Sequence, residues 1–265
     1  MAETFYAKAT VRSLIGSRGF DPEGRIEDLG GTLQDHQLRL EVSYPLGLRW
    51  RFEASSIPVG ITSWAPDAGA SSVDAYAGGG ELALAYRVLG GAWPLTVRAG
   101  AGARPSSGIE RVIPSSSGPV PVVEPIVGMA FGRLGLKLET GWSWGWLTLA
   151  GGGQVFSVDA LEPALEAFLQ VGFVPHPDWR LDLHSSGWMA SGDLSSTSPD
   201  RAATYNVLGA GQTRYVGIGL GIEWWFVPGV AFTVGLDGAP IARANLATPS
   251  LSVGMAFRGP AGAAP

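Results

Sequence analysis

The chain has 265 residues, of which 46% are hydrophobic and only 15% are charged; soluble domains carry about 25% charged residues. The absence of cysteine excludes a disulfide scaffold and a thiolate metal site. The formal net charge of −5 excludes a basic nucleic-acid binder.

Period-two alternation of apolar side chains recurs from Phe5 to Phe257 and predicts about twelve β-strands. The first five carry Phe5/Ala7/Ala9/Val11, Leu38/Leu40/Val42/Tyr44, Leu48/Trp50/Phe52/Ala54, Leu82/Leu84/Tyr86/Val88 and Leu95/Val97/Ala99/Ala101. A sixth is read at Val123/Val127/Met129/Phe131, and a seventh at Leu134/Leu136/Leu138 running on through Trp142, Trp144 and Trp146. The eighth, Leu161 to Phe173, also fits a helical stripe at Leu161, Leu165, Phe168 and Leu169. The strand is preferred because apolar residues dominate its odd positions. The ninth has Trp179/Leu181/Leu183. The last three have Val216 to Phe226, Val230 to Leu236 and Leu251/Val253/Met255/Phe257.

Two windows, 140–158 and 215–236, are nearly free of charge and long enough for membrane helices. Their glycines, and apolar residues on one face rather than all round, argue against helices. Connections alternate as well. Short links are read at 45–47, 90–94, 132–133, 174–178 and 227–229. Long ones are read at 13–36, 55–75, 103–121, 147–158, 190–213 and 237–249. One end of the sheet thus has turns and the other has loops, the pattern of a transmembrane β-barrel.

The chain resembles bacterial outer-membrane β-barrels, porin-like proteins as a class, over residues 4–258. The closing alternation Leu251/Val253/Met255/Phe257 is similar to the last strand of such barrels, although eight residues follow Phe257. The resemblance implies an all-β, closed antiparallel up-and-down barrel, with short periplasmic turns and long extracellular loops. It also implies residence in the bacterial outer membrane, in contact with its lipid, and a signal peptide already removed. Residues 1–258 are expected to form the barrel and residues 259–265 a flexible tail.

With the apolar faces against lipid, the other faces line a lumen. The expected basic lining is Lys8, Arg12, Arg39, Arg49, Arg51, Arg87, Arg98, Arg104, Lys137 and Arg180. The acidic lining is Glu41, Glu53, Glu81, Glu124, Glu139, Glu162, Glu166, Asp182, Glu223 and Asp237. The cations concentrate in the first five strands and the acids in the last seven. This suggests either a transverse field across an open passage or an ion-pair network that fills it. Trp93, Trp142, Trp144, Trp146, Trp179 and Trp224 are expected at the membrane interfaces, with Trp142, Trp144 and Trp146 approaching a long loop.

Catalytic signals are weak. His184 and Ser186 share a face, but only as i, i+2 neighbours, and His184 would face the lumen, away from a lipid substrate, so no enzyme is expected. No metal or cofactor motif is present. Asp21, Glu23, Glu27 and Asp28 match no calcium-loop spacing. The glycine runs 78–80 and 151–153 lack the lysine of a phosphate loop and are read as turns. Two functions remain: a narrow passive channel for ions or small polar solutes, or a non-transporting barrel that anchors other envelope proteins or lipoproteins.

Overall fold

The computed structural model describes residues 4–20, 25–77, 79–90, 94–104, 107–113, 120–126, 129–131, 136–156, 164–190, 214–242, 245–246 and 249–260. These contain strands and turns and no helix. In chain order the first strands are β1 (Thr4–Phe20), β2 (Ile26–Pro45), β3 (Trp50–Pro66), β4 (Ser72–Tyr76), β5 (Gly79–Leu89) and β6 (Leu95–Arg104). Then come β7 (Ser107–Ile113), β8 (Val120–Ile126), β9 (Met129–Phe131), β10 (Leu136–Trp144), β11 (Leu147–Phe156) and β12 (Ala164–His176). The last are β13 (Trp179–Ala190), β14 (Arg214–Val227), β15 (Val230–Ala242), β16 (Asn245–Leu246) and β17 (Ser250–Pro260).

Twelve of these form one antiparallel up-and-down sheet in the order β10-β11-β12-β13-β14-β15-β17-β1-β2-β3-β5-β6. First and last strands are therefore neighbours: β1 and β17 pair from Thr4 opposite Pro260 to Leu14 opposite Ser250. β6 also pairs with β10, over Leu95–Arg98 against Lys137–Thr140.

Tight connections lie at one end of the sheet at 46–49, 145–146, 177–178 and 228–229, and Leu89 pairs with Leu95 at the same end. Gly47, Gly145 and Gly229 have positive φ there (125°, 55° and 83°), a conformation that glycine reaches without steric cost. At the other end β1, β2 and β3 run on for 17, 20 and 17 residues, well past the 9–11 that cross a bilayer. The ordered strands thus take up much of the spans 13–36 and 55–75 that sequence patterning assigns to loops. β4, β7, β8, β9 and β16 decorate this end.

Two of the expected elements are corrected. The sixth strand, read at 123–131, is not a member of the twelve. Its residues fall on β8, which pairs only with β7, and on β9, which makes three pairs at the end of β6. Glu124 therefore lies on that side hairpin, opposite Ile109. The missing member is β11, in the span read as a loop. Gly151, Gly152 and Gly153 are not a turn; they pair with Leu169, Phe168 and Ala167 in mid-strand. The alternation through Trp142, Trp144 and Trp146 is broken by the turn at Gly145, so these residues approach the tight-turn end and not a long loop. The errors cancel in the strand count, because one false strand replaces one true one.

The eighth strand is confirmed as strand from Ala164 onward. β17 continues to Pro260, two residues beyond the expected limit at 258.

Exposure is inverted relative to a soluble sheet. On β5, Leu82 and Leu84 are exposed while Ala83 and Ala85 are buried. On β14, Val216, Ile218, Leu220, Trp224 and Phe226 are exposed, whereas Gly217, Gly219, Glu223 and Trp225 are buried. Contiguous apolar surface of this extent would be strongly disfavoured in water.

Candidate functional site: the polar interior face

Because successive side chains alternate, each strand sends one row to the inner side of the sheet. On β1 this row holds Tyr6, Lys8, Thr10 and Arg12. On β2 it holds Asp35, Gln37, Arg39 and Glu41. On β13 it holds Arg180, Asp182, His184 and Ser186. The rows are joined by short polar contacts.

The strongest cluster spans three strands. Arg98 Nε donates to Glu53 Oε2 at 2.6 Å, and its Nη1 lies 2.7 Å from Glu81 Oε1. Arg51 reaches Glu53 Oε1 at 2.6 Å along the same strand. One guanidinium thus bridges β3, β5 and β6, and its planar fork suits two carboxylates at once. Arg98 and Glu81 are largely buried. Truncation to Arg98→Ala removes the cation shared by Glu53 and Glu81 and leaves Arg51 at Glu53. It should lower the unfolding free energy by about 1–3 kcal/mol, measured by urea titration in detergent or vesicles; Arg98→Lys should recover only part of the loss.

A second cluster crosses a glycine. His184 Nε2 lies 2.7 Å from Asp237 Oδ1, yet β13 and β15 are not neighbours. Gly219 on the intervening β14 is in register with both, and a Cβ there would overlap the imidazole and the carboxylate. Nearby, Arg180 Nε donates to Asp182 Oδ1 at 3.1 Å.

A third group is built on hydrogen bonds. Arg12 Nε donates to Ser250 Oγ at 2.9 Å, and Arg39 donates to Gln37 Oε1 through Nε and Nη2. Gln37 Nε2 donates to Asp35 Oδ2 at 2.7 Å, and Thr62 Oγ1 donates to Asp35 Oδ1 at 2.8 Å. Tyr6 Oη donates to the buried Glu223 carboxylate at 3.0 Å. Lys8 and Glu41 sit opposite each other in register. Glu166 and Arg87 lie on the inner rows of β12 and β5.

Arg49 departs from its expected place. It lies in the turn ahead of β3, and its Nη1 donates to Tyr86 Oη at 3.1 Å. Tyr86 packs on Trp50 on the outward side, with ring centroids 4.7 Å apart. Arg49 is therefore a rim residue of the outer surface and not a lumen residue. Of Glu139, Trp142 and Trp144 the described backbone gives the pairing: Glu139 opposite Gly152 and Thr96, Trp142 opposite Leu149, Trp144 opposite Leu147. Glu162 and Trp93 lie outside the described residues.

His184 and Ser186 share the inner row of β13. Ser185 faces the other side and donates to the Gly217 carbonyl. His36 Nδ1 meets Ser13 Oγ at 2.9 Å on the outward face, a mutual satisfaction of two polar groups among apolar neighbours. Among the described residues no three His, Asp or Glu side chains gather as a metal site.

On the outer face the aromatic residues collect near the tight turns. Trp179 stacks on Trp224 (5.7 Å) and Trp224 packs on Phe226 (5.8 Å). Trp146 stacks on Phe173 (5.9 Å), and Phe5 meets Tyr44 edge-on at 6.1 Å. Alternation alone marks the partners Phe173, Phe226 and Tyr44 only as apolar.

No family model and no curated protein matches the chain. Solved structures do match in fold. An outer membrane channel from Pseudomonas putida F1 superposes with a TM-score of 0.61 at 11% identity, covering 98% of this chain and 96% of that one. The KdgM porin gives 0.54 at 7% identity (95% and 98% covered), and the NanC porin gives 0.51 at 11% identity (94% and 98% covered). Twelve up-and-down strands, an apolar exterior, a charged interior and these superpositions together give the chain the fold of porin-like outer-membrane β-barrels.

Proposed function

We propose that this protein is an integral outer-membrane barrel that passes ions or small polar solutes by diffusion through its charged interior. Closure of the sheet belongs to this reading and is supported by the β6–β10 pairing. In hydrocarbon an unpaired strand edge would expose backbone groups at several kcal/mol each, so a twelve-stranded sheet with this exterior is stable there only when closed. The observation that carries the reading is the inversion itself: leucine, isoleucine and tryptophan are exposed outward, while Arg98, Glu81, Glu223 and Asp237 are drawn inward.

The interior suits passage better than catalysis. Its charges are paired across strands, and the absence of a side chain at Gly219 lets the His184–Asp237 pair lie across the wall. The ion pairs hold the wall's own charges in place, so the field they present is fixed in position. The neighbouring structures are channels and porins, which supports reading this chain as a channel; its solute is a small ion or polar molecule.

Single-channel recording from purified protein in planar bilayers tests the proposal. Discrete conductance steps with an ohmic current–voltage relation are expected. Their absence would overturn transport and favour a barrel that anchors other envelope proteins.

A further inference from the structure

Trp225 is a large apolar side chain on the inner row of β14. Along β14 the row reads Gly217, Gly219, Gly221, Glu223 and Trp225, so this strand contributes no inner side chains towards the long-loop end and large ones at the tight-turn end. Trp225 is only 8% exposed, and Ala231 and Ala256, against which it packs, are wholly covered. These two alanines face one another on β15 and β17, and their short side chains form the bed on which the indole lies. Tyr6 on β1 packs against the same cluster and is anchored by its bond to Glu223. Over the indole sits the Arg258 guanidinium, 3.9 Å from the ring centroid, in cation–π contact.

We infer that Trp225, held by Tyr6 and capped by Arg258, is the constriction that sets the size and charge preference of the passage at its tight-turn mouth. The inference rests on the channel reading above. The geometry explains why bulk is placed here. Four neighbouring strands, β14, β15, β17 and β1, contribute to one aromatic and cationic stack. The indole and the guanidinium layered on it are bulky groups beside alanines and glycines that carry little or no side chain. Arg258 is exposed, so its charge meets the passing solute at the narrowest point and favours anions there. The buried ring below contributes bulk and a fixed height, and the Tyr6–Glu223 bond stops it from swinging aside.

The chain contains no cysteine, which makes a substituted-cysteine test clean. Wild type, Trp225→Ala, Trp225→Cys and Arg258→Ala are compared in planar bilayers, with folding verified by far-ultraviolet circular dichroism. Trp225→Ala should raise unitary conductance by at least about 1.5-fold, since pore width limits current. Trp225→Cys should also start high and fall when a bulky thiol-reactive reagent is added. Arg258→Ala, an exposed change that leaves the packed cluster intact, should shift the reversal potential in a salt gradient towards cations.

A conducting wild type whose Trp225→Ala variant has unchanged conductance, or whose Arg258→Ala variant has unchanged selectivity, overturns the constriction and leaves the channel standing. A silent wild type with a conducting Trp225→Ala variant supports the constriction as a full seal and overturns open transport. Silence in both overturns both.

Discussion

Leu220→Arg is expected to lower the stability of the protein in bilayers by about 2–4 kcal/mol, the depth-dependent penalty for a guanidinium at the membrane midplane of a barrel. Leu220 lies halfway along β14 between Ile218 and Ile222, and its side chain is 47% exposed on the outward face. In water such a substitution on an exposed leucine would be close to neutral, because surface changes usually fall within about 0.5 kcal/mol. The size of the effect therefore reports what surrounds the side chain. Gln170→Arg is the matched control. Gln170 is on the inner row of β12, opposite Ala150 and His184, where an added cation meets a polar interior and should be tolerated far better. Urea titration of both variants refolded into lipid vesicles gives the comparison.

The second large effect is expected at the seam where the chain's two ends meet. Gly254 on β17 lies opposite Thr10 on β1 and Thr233 on β15. A Cβ at Gly254 would overlap the Ala9 carbonyl oxygen and come within 2.7 Å of Thr10 Cα and Cγ2. Backbone cannot yield as a flexible side chain does, so Gly254→Val must spread the β1–β17 pair. A loss of roughly 3 kcal/mol is expected, at the upper end of ordinary overpacking penalties. Gly259→Ala on the same strand meets nothing within 4 Å and should be neutral. If the seam did not join the first and last strands, the two substitutions would behave alike. Folding yield and urea midpoints in vesicles separate these outcomes.

The fold was legible because a barrel wall has a simple period. Each of β1, β2, β3, β5, β6 and β12 to β15 announces its outward row with leucine, valine, isoleucine or aromatics, and β17 does the same up to Phe257. β11 was not legible for a physical reason. Its centre is Gly151-Gly152-Gly153, and glycine has no side chain to carry the alternation. Gly152 is opposite Phe168, so the bulk missing from one strand is supplied by the next. The neighbouring run Trp142, Trp144, Trp146 keeps its period straight through the turn at Gly145, which hides the strand boundary. A glycine between two tryptophans was the one available signal. The false strand at 123–131 had good alternation, and only its pairing partners exclude it from the wall.

Of the interior face, the rows were legible and the contacts were not. Alternation places Glu53, Glu81 and Arg98 on the same side, but that one arginine serves both carboxylates depends on register between β3, β5 and β6. Likewise the His184–Asp237 contact needs Gly219 between them. Arg49 shows the limit of parity near a turn: one residue before the strand begins, alternation no longer decides the face. Trp225 was concealed by its neighbours, since Trp224, Trp225 and Phe226 read as one apolar block although only the outer two face outward.

Lipid covers one face of this sheet, and the other face is shielded from it. The most direct measurement is a scan of single cysteines from Val216 to Ile222 on β14, each spin-labelled in lipid vesicles and probed with oxygen and a water-soluble nickel chelate. A period-two pattern is expected, with oxygen contact high at 216, 218, 220 and 222 and low at 217, 219 and 221. Equal access along the strand, or chelate contact highest at 218 and 220, would contradict it.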